Sequence, residues 1–122
     1  MAVILLVDDD LIIRKMIGMR LKRRGHKIHT ADNGFEGVIK AIELQPDLVL
    51  MDMHMPVMNG HDAVRMLRKR GYSGMIIAVT ASAMPHEIDQ ASNSGCNQII
   101  SKPLTPEFED QIQQVLNTII NS

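Results

Sequence analysis

The chain has 122 residues, enough for one compact domain of common size and too few for a second core. Thirteen basic and fourteen acidic side chains leave a net charge of −1, without the one-sided field that a binder of phosphate backbones or membrane surfaces needs. With no Trp, one Tyr and two Phe, the chain has no stacking platform for single-stranded nucleic acid, so its core must be aliphatic and rich in methionine.

In chain order, short aliphatic runs alternate with stretches of helical period. The runs are Val3–Val7, Lys27–Ala31, 48–51, 75–79 and 98–100. Brief buried strands separated by amphipathic helices are the pattern of repeated βαβ units and a parallel sheet. In the first helix Ile13, Met16, Ile17 and Leu21 share a face, and the helix ends before Gly25. In the second, Asn33 is the N-cap, Glu36 sits at the third position, and Pro46 stops the helix. The third runs from near Gly60 to Arg70 and the fourth from about Pro85 to Ser94. The last opens with Thr105 as N-cap and Pro106 at the first helical position, and carries Phe108, Ile112, Val115, Leu116 and Ile119 in one core-facing stripe. Neither linker nor repeat interrupts the pattern, so residues 1–122 read as one continuous (βα)5 unit. The basic cluster Arg20-Leu21-Lys22-Arg23-Arg24 reads as a solvated helix end, where the helix dipole favours cations.

In such a sheet the ligand site lies beyond the carboxyl ends of the strands, where neighbouring loops converge. The first strand is followed by Asp8, Asp9 and Asp10, the third by Asp52, the fourth by Thr80 and the fifth by Ser101 and Lys102. Carboxylates drawn together repel, and a divalent cation removes that cost. Mg²⁺ suits an all-oxygen pocket from which phosphate oxygens can displace water, with Mn²⁺ as an alternative ion. An ionised Asp52 can then attack phosphorus while the metal, the Lys102 ammonium and the Thr80 hydroxyl stabilise charge on the transferring oxygens, which makes the chemistry phosphoryl transfer to a carboxylate. Asp10 reads instead as the cap of the first helix.

Four segments, Val7-Asp8-Asp9, Asp52-Met53-His54-Met55-Pro56-Val57-Met58-Asn59-Gly60, Val79-Thr80-Ala81 and Ser101-Lys102-Pro103, resemble in order and spacing the receiver domains of two-component response regulators. The wording is most similar to receivers of hybrid sensor histidine kinases or stand-alone single-domain regulators. The resemblance implies a flavodoxin-like (βα)5 three-layer sandwich, a five-stranded parallel sheet in the order 2-1-3-4-5. It implies Asp52 as phosphorylation site and metal ligand, Asp9 as a direct ligand, Asp8 acting through water, and the His54 backbone carbonyl as the third protein ligand. Thr80 would bind a phosphoryl oxygen and reorient, Lys102 would pair with the phosphoryl group, Pro56 and Gly60 would shape the adjacent loop, and Lys102-Pro103 would be cis. The implied donor is a phosphohistidine on a histidine kinase or histidine phosphotransfer protein. One position departs: three residues before the lysine, where relatives carry Tyr or Phe, this chain has Ile99. Ile99 is the switch position in that pattern, and a β-branched side chain has no ring to swing.

No apolar run approaches the roughly 18 residues of a membrane span, and Val3–Val7 is too short for a secretory signal. Cys96, the single cysteine, has no disulfide partner, so a reducing, cytoplasmic setting is expected, with no direct nucleic-acid binding and no membrane insertion. Nothing near Cys96 in sequence activates its thiol. His26 and His29 lie across a strand and His54 and His61 on a loop and a helix start, without the spacing of a zinc site. A domain that assists its own phosphorylation and dephosphorylation, rather than an enzyme, is expected. The alternatives are a degenerate receiver serving only as a docking module, a Mg²⁺-dependent aspartyl-phosphate phosphatase, which lacks a later acidic pair here, and a flavin carrier, whose phosphate three aspartates would repel. Stand-alone regulator or part of a larger protein, and the oligomeric state, stay open at this point.

Overall fold

The structure, a computed structural model, describes residues 1–120 and alternates strands with helices throughout. The strands are β1 (Val3–Val7), β2 (Lys27–Ala31), β3 (Leu48–Asp52), β4 (Met75–Thr80) and β5 (Gln98–Ser101). Between and after them run α1 (Leu11–Lys22), α2 (Gly34–Leu44), α3 (Gly60–Lys69), α4 (Pro85–Ser94) and α5 (Phe108–Ile120). All pairings are parallel, in the order β2-β1-β3-β4-β5, which is the expected flavodoxin-like arrangement. The chain winds outward from β1 in both directions, so a crevice opens beyond the carboxyl ends of β1 and β3.

Alternation along each strand sorts the core into two layers. Leu5, Val7, Val49, Met51, Ile76 and Ala78 face the α2–α4 side, where Val38, Ala41, Val64 and Leu67 meet them. Ile4, Leu6, Leu48, Leu50, Ile77 and Val79 face the α1 and α5 side, against Ile17, Leu21, Phe108, Ile112 and Leu116. The core-facing stripe expected of α5 is therefore present in its layer. Burial on both faces explains why β1 and β3 read as continuous apolar runs.

The boundaries differ from the sequence reading in informative ways. β3, β4 and β5 each run one residue further, so Asp52, Thr80 and Ser101 end strands rather than begin loops. α5 begins at Phe108, not Pro106; Thr105 instead accepts the Phe108 N–H through its carbonyl in a preceding turn. Met16 is exposed, and Gly18 joins Ile17 and Leu21 on the buried face of α1. His26 precedes β2 and accepts the Ala2 N–H at Nδ1. Residues 121 and 122 of the (βα)5 unit lie outside the described residues.

Gly60 opens α3 directly beneath the end of β3. A Cβ there would lie 2.3 Å from the Asp52 carbonyl oxygen and 2.6 Å from the Met53 Cα, both backbone atoms that cannot step aside cheaply. The substitution Gly60→Ala should therefore lower stability by roughly 1–3 kcal/mol through overpacking. Urea titration checks this; an unchanged midpoint would show that α3 does not seat on the end of β3 as described.

Candidate functional site

Asp8 follows β1 and is 1% exposed. Its N–H donates to the Ala31 carbonyl at 3.1 Å, extending the pairing with β2 past the strand end. Its Oδ1 accepts the Asp10 N–H at 2.9 Å, which turns the chain into α1. Asp10 in turn accepts the N–H groups of Ile12 and Ile13, the helix cap that its position foretold. Asp9, between them, is exposed, and among the described residues its carboxylate has no partner.

Asp52, the last residue of β3, is 5% exposed, and its Oδ1 accepts the His54 N–H at 3.2 Å. Lys102 reaches over from beyond β5: its Nζ lies 3.0 Å from Asp8 Oδ2 and 3.8 Å from Asp52 Oδ1. Its backbone is anchored at the strand end, where the Lys102 N–H donates to the Thr80 carbonyl at 2.7 Å. The Lys102-Pro103 bond is cis, as the resemblance implied. Thr80 is buried at the end of β4, its Oγ1 accepting the Ser82 N–H at 3.2 Å. One ligand oxygen from each of Asp8, Asp9 and Asp52 lies within 4.8 Å of the others. The structure thus brings Asp8, Asp9, Asp52 and Lys102 together, with Thr80 tied to Lys102 through the strand ladder. The side chain of His54 is exposed, outside this group, and Ile99 sits on β5, half-buried against the α2–α4 layer.

The electrostatics follow from this crowding. Burial pushes the Asp52 carboxyl up to about 6; the His54 N–H opposes that rise, Asp8 adds to it, Lys102 opposes it and Asp9 adds slightly. A carboxylate poised so high holds its charge weakly unless a cation joins it. The donor set is all oxygen, two of its three members are buried, and the one ammonium nearby approaches Asp8 and Asp52, so the residues fit a hard divalent cation. Cys96, by contrast, is pushed up to about 11 by burial, which leaves its thiol protonated and unreactive.

Sequence reasoning missed Arg14. From the first turns of α1 its Nη1 donates to the Asp8 carbonyl at 2.8 Å, clamping the turn that presents the acidic pair. The available signal was a cation four residues after the helix cap, close enough to fold back on the strand end.

The family model for the response regulator receiver domain matches residues 4–116. Two-component response regulator ORR41 of Oryza sativa subsp. japonica is 37% identical over 108 residues, covering 85% of each chain. Hybrid signal transduction histidine kinase G of Dictyostelium discoideum is 40% identical over 106 residues, which is 83% of this chain but 3% of that protein. Among solved structures, the receiver domain of sensor histidine kinase PA1611 from Pseudomonas aeruginosa PAO1, with a magnesium ion coordinated in its active site cleft, superposes with a TM-score of 0.86 at 29% identity, covering 99% of this chain and 98% of that one. No helix among the described residues is long and apolar enough to cross a membrane. Fold, acidic crevice and matched length agree, and the chain belongs to the response regulator receiver domain family, the phosphoacceptor modules of two-component signal transduction.

Proposed function

We propose that residues 1–122 form one receiver domain in which Asp52 accepts a phosphoryl group. The observation that carries this reading is the convergence of Asp8, Asp9 and Asp52 on one point, with the Lys102 ammonium 3.8 Å from the Asp52 carboxylate. The donor is a phosphohistidine on a histidine kinase or histidine phosphotransfer protein: an Asp52 oxygen attacks phosphorus, the P–N bond breaks, and the imidazole leaves with its electron pair and takes up a proton. Mg²⁺, or Mn²⁺ in its place, supplies neutralisation of the acidic pocket and of the transferring oxygens when bound. Asp9, whose carboxylate has no other partner among the described residues, and Asp52 would be the direct side-chain ligands, with the His54 carbonyl as the third. Both oxygens of Asp8 are already engaged, by the Asp10 N–H and by Lys102, which fits a role through water. Lys102 pairs with the phosphoryl group and the Thr80 hydroxyl binds one of its oxygens.

The domain thereby assists its own phosphorylation, and admits the water that later hydrolyses the acyl phosphate. On this reading the domain works in the cytoplasm, or in the cytoplasmic part of a larger protein, with a histidine kinase or histidine phosphotransfer protein as its partner and without direct contact to nucleic acid or membrane.

Incubation with acetyl phosphate and Mg²⁺ should add one phosphoryl group, labile to hydroxylamine; Asp52→Asn and chelation by EDTA should each abolish it. Labelling of Asp52→Asn at the wild-type rate would remove Asp52 from its role.

A second outcome concerns stability without metal. The folded Asp52 binds its proton up to about pH 6, the unfolded one only to its ordinary value of 3.8. Its contribution to stability is therefore fully present below the unfolded value and is lost as pH rises through 6. In EDTA, Asp52→Asn should be more stable than wild type at pH 7.5, by on the order of 1–2 kcal/mol, with the advantage vanishing toward pH 4. Thermal unfolding across that range measures it, and a pH-independent difference would refute the raised affinity of Asp52 for a proton.

The third concerns Ile99. Thr80 and the loop 81–85 should move on activation while Ile99 keeps its rotamer, because a β-branched side chain is stiff about its first torsion. Methyl NMR of free and beryllofluoride-bound protein with Mg²⁺ present tests this; large, rotamer-type shifts at Ile99 would contradict it.

A further inference from the structure

Away from the acidic crevice, α2 and α3 leave a groove of about 330 Å³ between them. Its walls are apolar, formed by Phe35 and Ile39 from α2, Met66 from α3 and Met58 from the loop after Asp52. Phe35 is 55% exposed and Ile39 43%, so the groove is part of a contiguous apolar face rather than a closed cavity. Two opposite charges stand at one end, Glu43 in the last turn of α2 and Arg70 just past α3, both exposed. Among the described residues neither side chain has an ion pair or hydrogen bond, whereas Arg20 and Arg24 are matched by Glu109 and Asp110, and Arg65 by Asp62.

We propose that this face binds a second copy of the chain. α2 and α3 run in the same direction, so a two-fold axis laid along the groove sets each α2 over the other copy's α3. Glu43 then faces Arg70 of the second copy, Arg70 faces its Glu43, and the Phe35 and Ile39 stripes close over Met58 and Met66. A two-fold interface must be self-complementary, and an apolar stripe ending in one unpaired acid and one unpaired base meets that condition. The helices have 11 and 10 residues, about 15 Å each, so the buried area falls at the small end of specific interfaces and the association is transient.

Sedimentation velocity over the micromolar to millimolar range, on unphosphorylated protein, should show a monomer–dimer equilibrium. Ile39→Glu should weaken it by about tenfold or more, since a charge is then buried in the stripe. Glu43→Arg and Arg70→Glu should each weaken it several-fold by setting like charges opposite, and the double variant should recover to within about twofold of wild type. Concentration-dependent methyl shifts at Ile39 and Met66 in the unaltered protein give a readout independent of any substitution. A strict monomer at millimolar concentration, a dimer indifferent to these substitutions, a double variant no better than the singles, or a groove that takes an apolar dye without self-association would each overturn the proposal.

Discussion

Three carboxylates held within 4.8 Å of one another, answered by one ammonium, are what the rest of the molecule is built to tolerate. At that spacing, in an effective dielectric near 20, each like-charge pair repels by on the order of 3 kcal/mol. Lys102 offsets part of this through Asp8, while burial first, and the neighbouring carboxylates after it, raise the affinity of Asp52 for a proton. The aliphatic strands β1 and β3 run parallel and adjacent, which fixes Asp8 and Asp52 at one edge whatever their mutual preference. Two buried faces supply the burial that holds them there. A proton, a cation or a phosphoryl group with its metal changes the balance at this edge, and so charge at Asp52 becomes readable by its surroundings.

Those surroundings are not symmetric. Thr80 is joined to Lys102 by the last rung of the β4–β5 ladder, so the hydroxyl at the end of β4 and the ammonium beside Asp52 share one backbone support. On the opposite side Asp8 is braced by Arg14 and by the Asp10 turn. Among the described residues the side-chain oxygen of Thr80 is bonded to the Ser82 N–H, a contact that on the proposed reading a phosphoryl oxygen replaces.

Much of this was legible in the residues themselves. Runs such as Val3–Val7 fixed the strands because burial on both faces demands continuous apolar sequence, and the caps Asp10 and Asn33 announced their helices through local hydrogen bonding that needs no tertiary information. Strand ends were placed one residue short at Asp52 and Thr80 because a polar side chain looks like a loop until its backbone is seen to pair. Pro106 suggested a helix start, yet the turn closed by the Phe108 N–H delayed it, a choice set by where Phe108 must pack. Arg14 and the groove between α2 and α3 stayed hidden because both depend on how helices lie on the sheet. Met16 erred for the same reason: helical period defines a stripe, and the sheet beneath decides its width.

The lone tyrosine carries a practical consequence. Tyr72 is 2% exposed and donates its hydroxyl to the Pro46 carbonyl at 2.9 Å, at the entry to β3, while Asp52 stands at that strand's exit. In a chain without tryptophan, the near-ultraviolet signal therefore comes from the far rim of the sheet. Intrinsic fluorescence will register unfolding well and events at the acidic crevice hardly at all, so spectroscopy of signalling in this molecule calls for a chromophore placed by design.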